Sequence, residues 1–293
     1  MTDVSRPLLA AVWMMGAIVS FSSMAVAGRA LSAELDTFEM MMYRSFIGLG
    51  VVLVVGTATG KLREIRVDRL PLHLLRNLCH FTGQNLWFYS LTLITLAQVF
   101  ALEFTSPIWV MVFAVFLLGE RLTRVRVLAV ALGFLGALAV AQPGAGGNAL
   151  GLTLAATSAI GFAGSIVCTK MLTRTETILG ILFWLTLMQA VMGIVTTSWD
   201  GDVAWPSAAA WPWVALIGCA GLLAHTCLTN ALAVAPASVV TPMDFLRLPF
   251  IAIVGMAFYD EPLDVWVFVG AALIFAGNYI NILSESRRRA IAR

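Results

Sequence analysis

The sequence predicts an all-α integral membrane protein whose ten transmembrane helices form two inverted five-helix repeats. Three observations carry this. Of 293 residues, 60% are hydrophobic and only 12% charged, against roughly 45–50% and 25% in soluble proteins. The apolar residues fall in blocks of about twenty, the number a helix needs to cross the hydrocarbon. A shift of 141 residues partly overlays the chain on itself.

The same composition excludes other classes. Disorder requires low hydrophobicity and high net charge. A net charge of +2 is too small for a nucleic-acid partner. Barrel strands would alternate apolar and polar residues in segments of about ten, which these blocks do not. Cys79, Cys168, Cys219 and Cys227 lie in apolar stretches without metal-ligand spacing. They read as thiols buried in the membrane, with no disulfide framework, metal or cofactor implied.

The ten blocks follow in order. Block one, 8–30, is too long for a signal-peptide core, and Gly28-Arg29-Ala30 leads straight into block two, 38–59. The connection from Gly60 to Leu70, with Lys61, Arg63, Arg66 and Arg69, precedes block three, 72–93. Blocks four and five, 96–118 and 124–142, flank the turn Gly119-Glu120-Arg121-Leu122-Thr123-Arg124. The glycine-rich joint from Gln142 to Asn148 leads to blocks six to ten: 149–171, 177–199, 211–233, 237–259 and 264–283. Residues 1–142 thus form one repeat, 149–283 the second, and 284–293 a basic cytoplasmic tail. Small residues at Ala129, Gly133 and Ala137 in block five, and Gly161 and Ser165 in block six, are read as tight helix contacts.

Orientation follows from the basic residues, which concentrate on the cytoplasmic side. With the N-terminus inside, fifteen of the eighteen Lys and Arg residues face inward, and only Arg29 lies at the outer face. Both termini are then cytoplasmic. Trp199, Trp205, Trp211 and Trp213 bracket one outer loop, as an interfacial belt would.

At the 141-residue offset, Phe21, Val26 and Leu31 meet Phe162, Val167 and Leu172, and Arg29 meets Lys170. Glu120, Ala131, Phe134 and Gly136 meet Glu261, Ala272, Phe275 and Gly277. Five spans per copy is an odd number, so the second copy lies upside down. Inverted repeats are characteristic of secondary transporters, with substrate near the midplane between the halves.

The motifs Phe104-Thr105-Ser106-Pro107, Leu117-Leu118-Gly119-Glu120-Arg121-Leu122-Thr123 and Leu132-Gly133-Phe134-Leu135-Gly136-Ala137, with Tyr43-Arg44-Ser45-Phe46, resemble the EamA type of the drug/metabolite transporter superfamily over about residues 8–283. The second half departs at Asp260-Glu261-Pro262-Leu263, and Pro249 stands one residue off the counterpart of Pro107. The resemblance implies a carrier in the bacterial inner membrane, driven by protons or a substrate gradient, moving amino acids, vitamins, nucleotide-like metabolites or drugs. Aromatic amino acid exporters, riboflavin carriers and S-adenosylmethionine carriers share this architecture.

A charge at the membrane centre costs about 2.5–3.5 kcal/mol on insertion scales, so such residues need a reason. Glu103 and Asp244 are 141 residues apart and occupy the same position in the two copies. Each lies some eight residues into its span, about 12 Å deep, near the middle of a core of about 30 Å. Asp244 and Arg247 are spaced to pair on one helix face. Two readings stay open: a self-neutralising pair that lets the helix insert, or an Arg247 that holds a substrate carboxylate and releases Asp244. Glu103 has no basic neighbour in sequence and suits either proton coupling or a structural role. Arg44 is read as structural, paired with Glu39 or Glu103.

His80, Gln84 and Trp87 on block three, Phe104 and Trp109 on block four and Asn230 on block eight are candidate cavity-lining residues, in competition with plain interhelical packing. Pro107, Pro242 and Pro249 interrupt spans four and nine and are candidate hinges. Zinc-protease and nucleophile-elbow motifs are absent from the sequence, so an enzyme is not indicated. The reading that follows is a secondary carrier of small amphipathic metabolites working by alternating access. Amino acids or relatives, with export included, are favoured as substrate; vitamin or nucleoside-like uptake and cationic drug efflux are the alternatives. The protein would act as monomer or homodimer.

Overall fold

The computed structural model describes residues 7–106, 108–110, 112–113, 124–142, 148–172, 175–199, 201, 203–234, 243–244 and 246–291. The candidate hinges Pro107 and Pro242, the turn at 119–123 and most of the joint before Asn148 lie outside them. Among the described residues there are ten α-helices: α1 (Pro7–Leu31), α2 (Thr37–Ala58), α3 (Leu70–Leu93), α4 (Leu96–Glu103), α5 (Arg124–Ala141), α6 (Ala149–Leu172), α7 (Ile178–Thr197), α8 (Trp211–Val234), α9 (Arg247–Tyr259) and α10 (Val265–Ile291). Five of them (within α1, α2, α6, α7 and α8) are long and apolar enough to cross a membrane by themselves.

The helices start where local chemistry dictates. Asp36 and Glu39 form a reciprocal capping box on α2, and Thr95 and Gln98 form another on α4. Each satisfies amide donors that a helix N-terminus leaves open. At the basic end α10 runs to Ile291, so residues 284–291 continue the last helix. Leu8, Val54, Phe134 and Phe258 point outward with 65–85% exposure, which only a lipid solvent tolerates on this scale. Cys168 and Cys227 are buried, whereas Cys219 is exposed on the outer surface of α8.

The packing obeys a two-fold relation between the copies. Exchanging the repeats turns α1 into α6 and α3 into α8, so the extensive α1·α8 and α3·α6 contacts are equivalents. The contacts α2·α7, α4·α9 and α5·α10 map onto themselves and lie along the axis. At α3·α6 the backbones touch: a Cβ on Gly161 would stand 2.8 Å from the Cys79 carbonyl oxygen and 2.8 Å from Gly83 Cα. At α5·α10 a Cβ on Gly136 would lie 2.5 Å from the Gly270 carbonyl oxygen, and one on Gly277 2.6 Å from that of Ala129. These two contacts interchange under the 141-residue offset. The predicted small-residue stripes are therefore helix crossings, although Gly133 faces Ile108 and not α10.

Spans four and nine are broken. α4 ends at Glu103, and Thr105 N–H turns back to the Leu102 carbonyl at 3.0 Å. Pro107 has no N–H to donate to the Glu103 carbonyl four residues earlier. The Ser106 hydroxyl donates to that carbonyl at 2.6 Å instead. In span nine the chain turns at Leu246 and α9 begins at Arg247. Pro249 sits in the first turn of α9, a position that tolerates its missing N–H.

One ion pair ties an end of the bundle. Arg29, in the last turn of α1, donates to the carbonyls of Leu91 (2.7 Å) and Ile94 (2.6 Å) and pairs with Glu261. The other Glu261 oxygen accepts from Leu96 N–H at 2.9 Å. Glu261 thereby joins α1, the α3–α4 link and the α9–α10 link. Glu261→Gln is expected to lower stability by about 1–3 kcal/mol, read as a lower thermal midpoint in detergent. An unchanged midpoint would show the tie to be inert.

Candidate functional site

The two breaks meet. α4 and α9 pack against each other across the axis, so Glu103 at the end of one faces Arg247 at the start of the other. Arg247 Nη2 lies 3.3 Å from Glu103 Oε1 and 3.1 Å from Asp244 Oδ2. Trp87 Nε1 donates to the other Glu103 oxygen at 2.9 Å. The guanidinium carbon stands 4.8 Å from the Phe21 ring centroid, 5.1 Å from Phe100 and 5.0 Å from Phe104. Such ring faces attract a cation most where water is excluded. A carboxylate at a helix C-terminus and a cation at an N-terminus both oppose the helix dipole, so each requires the other here.

Exposure separates the partners. The Arg247 side chain is 5% accessible, Glu103 18% and Asp244 26%. Arg247 is thus enclosed by two carboxylates and three rings, and the carboxylates are less deeply buried than the cation. Asp244 Oδ1 and Arg247 Nε make no hydrogen bond among the described residues. The expectation that Glu103 lacks a basic neighbour holds only along the sequence; α9 brings Arg247 to it. This arrangement disfavours the reading in which Arg247 itself waits open for a substrate carboxylate.

Among the described residues Arg44 pairs with no acid. Its Nη1 donates to Gln84 Oε1 at 2.8 Å. Glu39 instead closes the α2 cap and accepts from Ala204 N–H, and Glu103 is occupied by Arg247 and Trp87. Gln84 and His80 thus join a second polar group with Arg44, next to the first. The His80 and His225 rings are 6.5 Å apart, and His225 meets Phe21 edge-on at 5.6 Å. Phe21 therefore separates His225 from Arg247.

Two candidates lie elsewhere. Trp109 lines an apolar cavity of about 320 Å³ with Thr105, Gly133, Phe134, Thr157 and Ile160. Asn230 donates to the Thr226 carbonyl one turn back on its own helix, at 2.8 Å. Sequence reasoning missed Phe21 and Asn278. Asn278 on α10 donates to the Phe104 carbonyl at 3.1 Å, steadying the broken end of α4. Phe21 had a usable signal: its repeat partner Phe162 packs on His80 at 5.9 Å, so both copies set a phenylalanine against a histidine.

The chain is 30% identical to the riboflavin transporter of Rhizobium johnstonii over 298 aligned residues, spanning 98% of this chain and 95% of that protein. It is 25% identical to the S-adenosylmethionine uptake transporter of Rickettsia conorii, over 98% of this chain and 97% of the relative. A solved crystal structure shares the fold with a TM-score of 0.65 at 19% identity, covering 95% of this chain and 98% of the other. Residues 8–142 and 149–283 each match the EamA-like transporter family. With both five-helix halves matched, the chain belongs to that family and is a membrane transporter, not an enzyme.

Proposed function

We propose that this transporter is a secondary carrier of a small, flat, amphipathic metabolite of vitamin- or nucleoside-like size, working by alternating access. One observation carries the reading: two carboxylates, Glu103 and Asp244, share one enclosed Arg247 at the meeting of two broken helices, beside a wall of aromatic rings. Broken helices on a repeat axis are where carriers hold substrate. Rings supply stacking for a planar group, and the partly buried carboxylates accept a proton or a cationic or N–H group. The riboflavin and S-adenosylmethionine relatives support a planar substrate; they give no support to an amino acid as such.

The proposed setting is a bacterial inner membrane with both termini cytoplasmic, supported by the one-sided distribution of Lys and Arg. Labelling of single cysteines near Asp260 and near Arg63 tests it: Arg63 must report the cytoplasmic side and Asp260 the opposite one.

Proteoliposome flux in both directions, with riboflavin, S-adenosylmethionine and amino acids, with and without a pH gradient, tests the function. Glu103→Gln fixes the neutral form. It is expected to retain substrate exchange while losing acceleration by the proton gradient. If the variant keeps the original pH dependence, Glu103 does not carry the coupled proton.

A further inference from the structure

We infer that Arg44 is an anion subsite, taking a carboxylate or phosphate group of the transported molecule. The inference rests on the carrier reading above and adds the charge its substrate must bear. Three guanidinium groups, Arg44, Arg76 and Arg247, are buried in the bundle, and they differ in compensation. Arg76 donates to Thr169 Oγ1 at 2.7 Å and to Asn77 Oδ1 at 3.3 Å. Arg247 has two carboxylates. Arg44, 8% exposed, has one amide oxygen and the Met41 sulfur as partners, with no acid among the described residues. A buried charge without a counter-ion is costly, and polar groups held in a membrane interior mark substrate paths.

A second donor sits beside it. Arg44, Gln189, Thr186, Ser45 and His225 line a cavity of about 20 Å³ on the α2·α7 contact. Gln189 is 2% exposed, and its Nε2 has no hydrogen-bond partner among the described residues. A cation without an anion and an amide N–H without an acceptor thus face one space. Gln189 Nε2 lacks an acceptor and Arg44 lacks a counter-charge among the described residues, and an anionic oxygen serves both. The space admits a group about the size of a water molecule, so one oxygen of a carboxylate or phosphate fits.

Gly221 clears the place for the guanidinium: a Cβ there would lie 2.9 Å from Arg44 Nη2 and 3.1 Å from Nε. The chain of rings from His225 through Phe21 to Arg247 then joins an anion end at Arg44 to the carboxylates of Glu103 and Asp244. A substrate with an anionic end, a flat middle and a donor or cationic end matches that order.

The test uses pairs of compounds that differ by one anionic group: riboflavin and riboflavin 5′-phosphate, adenosine and its 5′-monophosphate, phenylalaninamide and phenylalanine. Binding is read by thermal unfolding of the purified carrier, since a bound solute stabilises it. At least one anionic member is expected to bind the wild type better than its neutral partner. Arg44→Gln is expected to weaken that member by about tenfold or more, as loss of a charge-assisted hydrogen bond does, and to leave the neutral partner within about twofold. Arg44→Lys should restore part of the difference. Gly221→Ala keeps the charge but displaces it, and should weaken the same member.

The inference is overturned if no anionic member stabilises the wild type. It is equally overturned if Arg44→Gln and Gly221→Ala bind the anionic member unchanged, or lose both members in parallel. Which pair responds separates phosphate from carboxylate. Flux of Glu103→Gln, measured alongside, separates the two proposals. Lost proton coupling there with an unaltered anion preference in Arg44→Gln keeps the carrier site and removes the anion subsite; the reverse pattern does the opposite.

Discussion

Arg247→Ala is expected to abolish transport and to lower stability by about 3–5 kcal/mol, because it strands Glu103 and Asp244 as unpaired carboxylates in a dry layer. Among the described residues no other cation pairs with them: Arg44 is held at Gln84, and Trp87 offers a single N–H. Three phenylalanine rings also lose the group between them. Arg247→Lys retains the charge but makes a compact ammonium of a planar fork, so partial stability with poor flux is expected. Thermal midpoints and flux in proteoliposomes measure both. A stable, active Arg247→Ala protein would mean that the ion cluster contributes nothing, and the site would have to be sought elsewhere. Combining Arg247→Ala with Glu103→Gln and Asp244→Asn should recover much of the stability, since the stranded charges are then gone, but not the transport.

Gly161→Leu is expected to be nearly as damaging to the fold, without touching the charges. The new Cβ would meet the Cys79 carbonyl oxygen and Gly83 Cα, both at 2.8 Å. These are backbone atoms, so α3 and α6 must move apart. Overpacking of this kind costs about 1–3 kcal/mol or more. The equivalent crossing of α1 and α8 carries Ser20 and Ala224 at the matching offset, both buried. The expected outcome is a lower thermal midpoint and weak accumulation in the membrane. Gly161→Ala should show a smaller loss of the same sign. A Leu variant with the wild-type midpoint would mean that the crossing is looser than its geometry.

Most of the architecture was legible because it rests on strong, local signals. A block of twenty apolar residues has few alternatives to a membrane helix, and a constant offset over many positions exposes the duplication. Glu103, Asp244 and Arg247 were legible because charge in lipid is expensive. What was not legible depends on helix rotation. Where a helix is apolar on every side, periodicity does not mark its inward face. Trp109 and Asn230 were read as lining the site; Trp109 lines an apolar cavity, and Asn230 donates to a carbonyl of its own helix. Arg44 was matched to an acid because two acids were within reach by sequence. The partner was Gln84, which only the packing of α2 near α3 reveals. The break at Glu103 was anticipated from Pro107. That Ser106 would satisfy the released carbonyl, and Asn278 the next one, needed three-dimensional neighbours.

The glycine contacts between α5 and α10 have a mechanical consequence. Gly136 meets the Gly270 carbonyl, and Gly277 meets that of Ala129. The symmetry operation swaps these contacts for one another, so the crossing as a whole maps onto itself. If the two halves trade shapes during a transport cycle, the α1·α8 and α3·α6 pairs must exchange arrangements, while this self-matching crossing can stay in register. Two backbones in direct touch, with no long side chains between them to readjust, would serve as a fulcrum, and the crossing would be equally tight whichever side the pocket opens to.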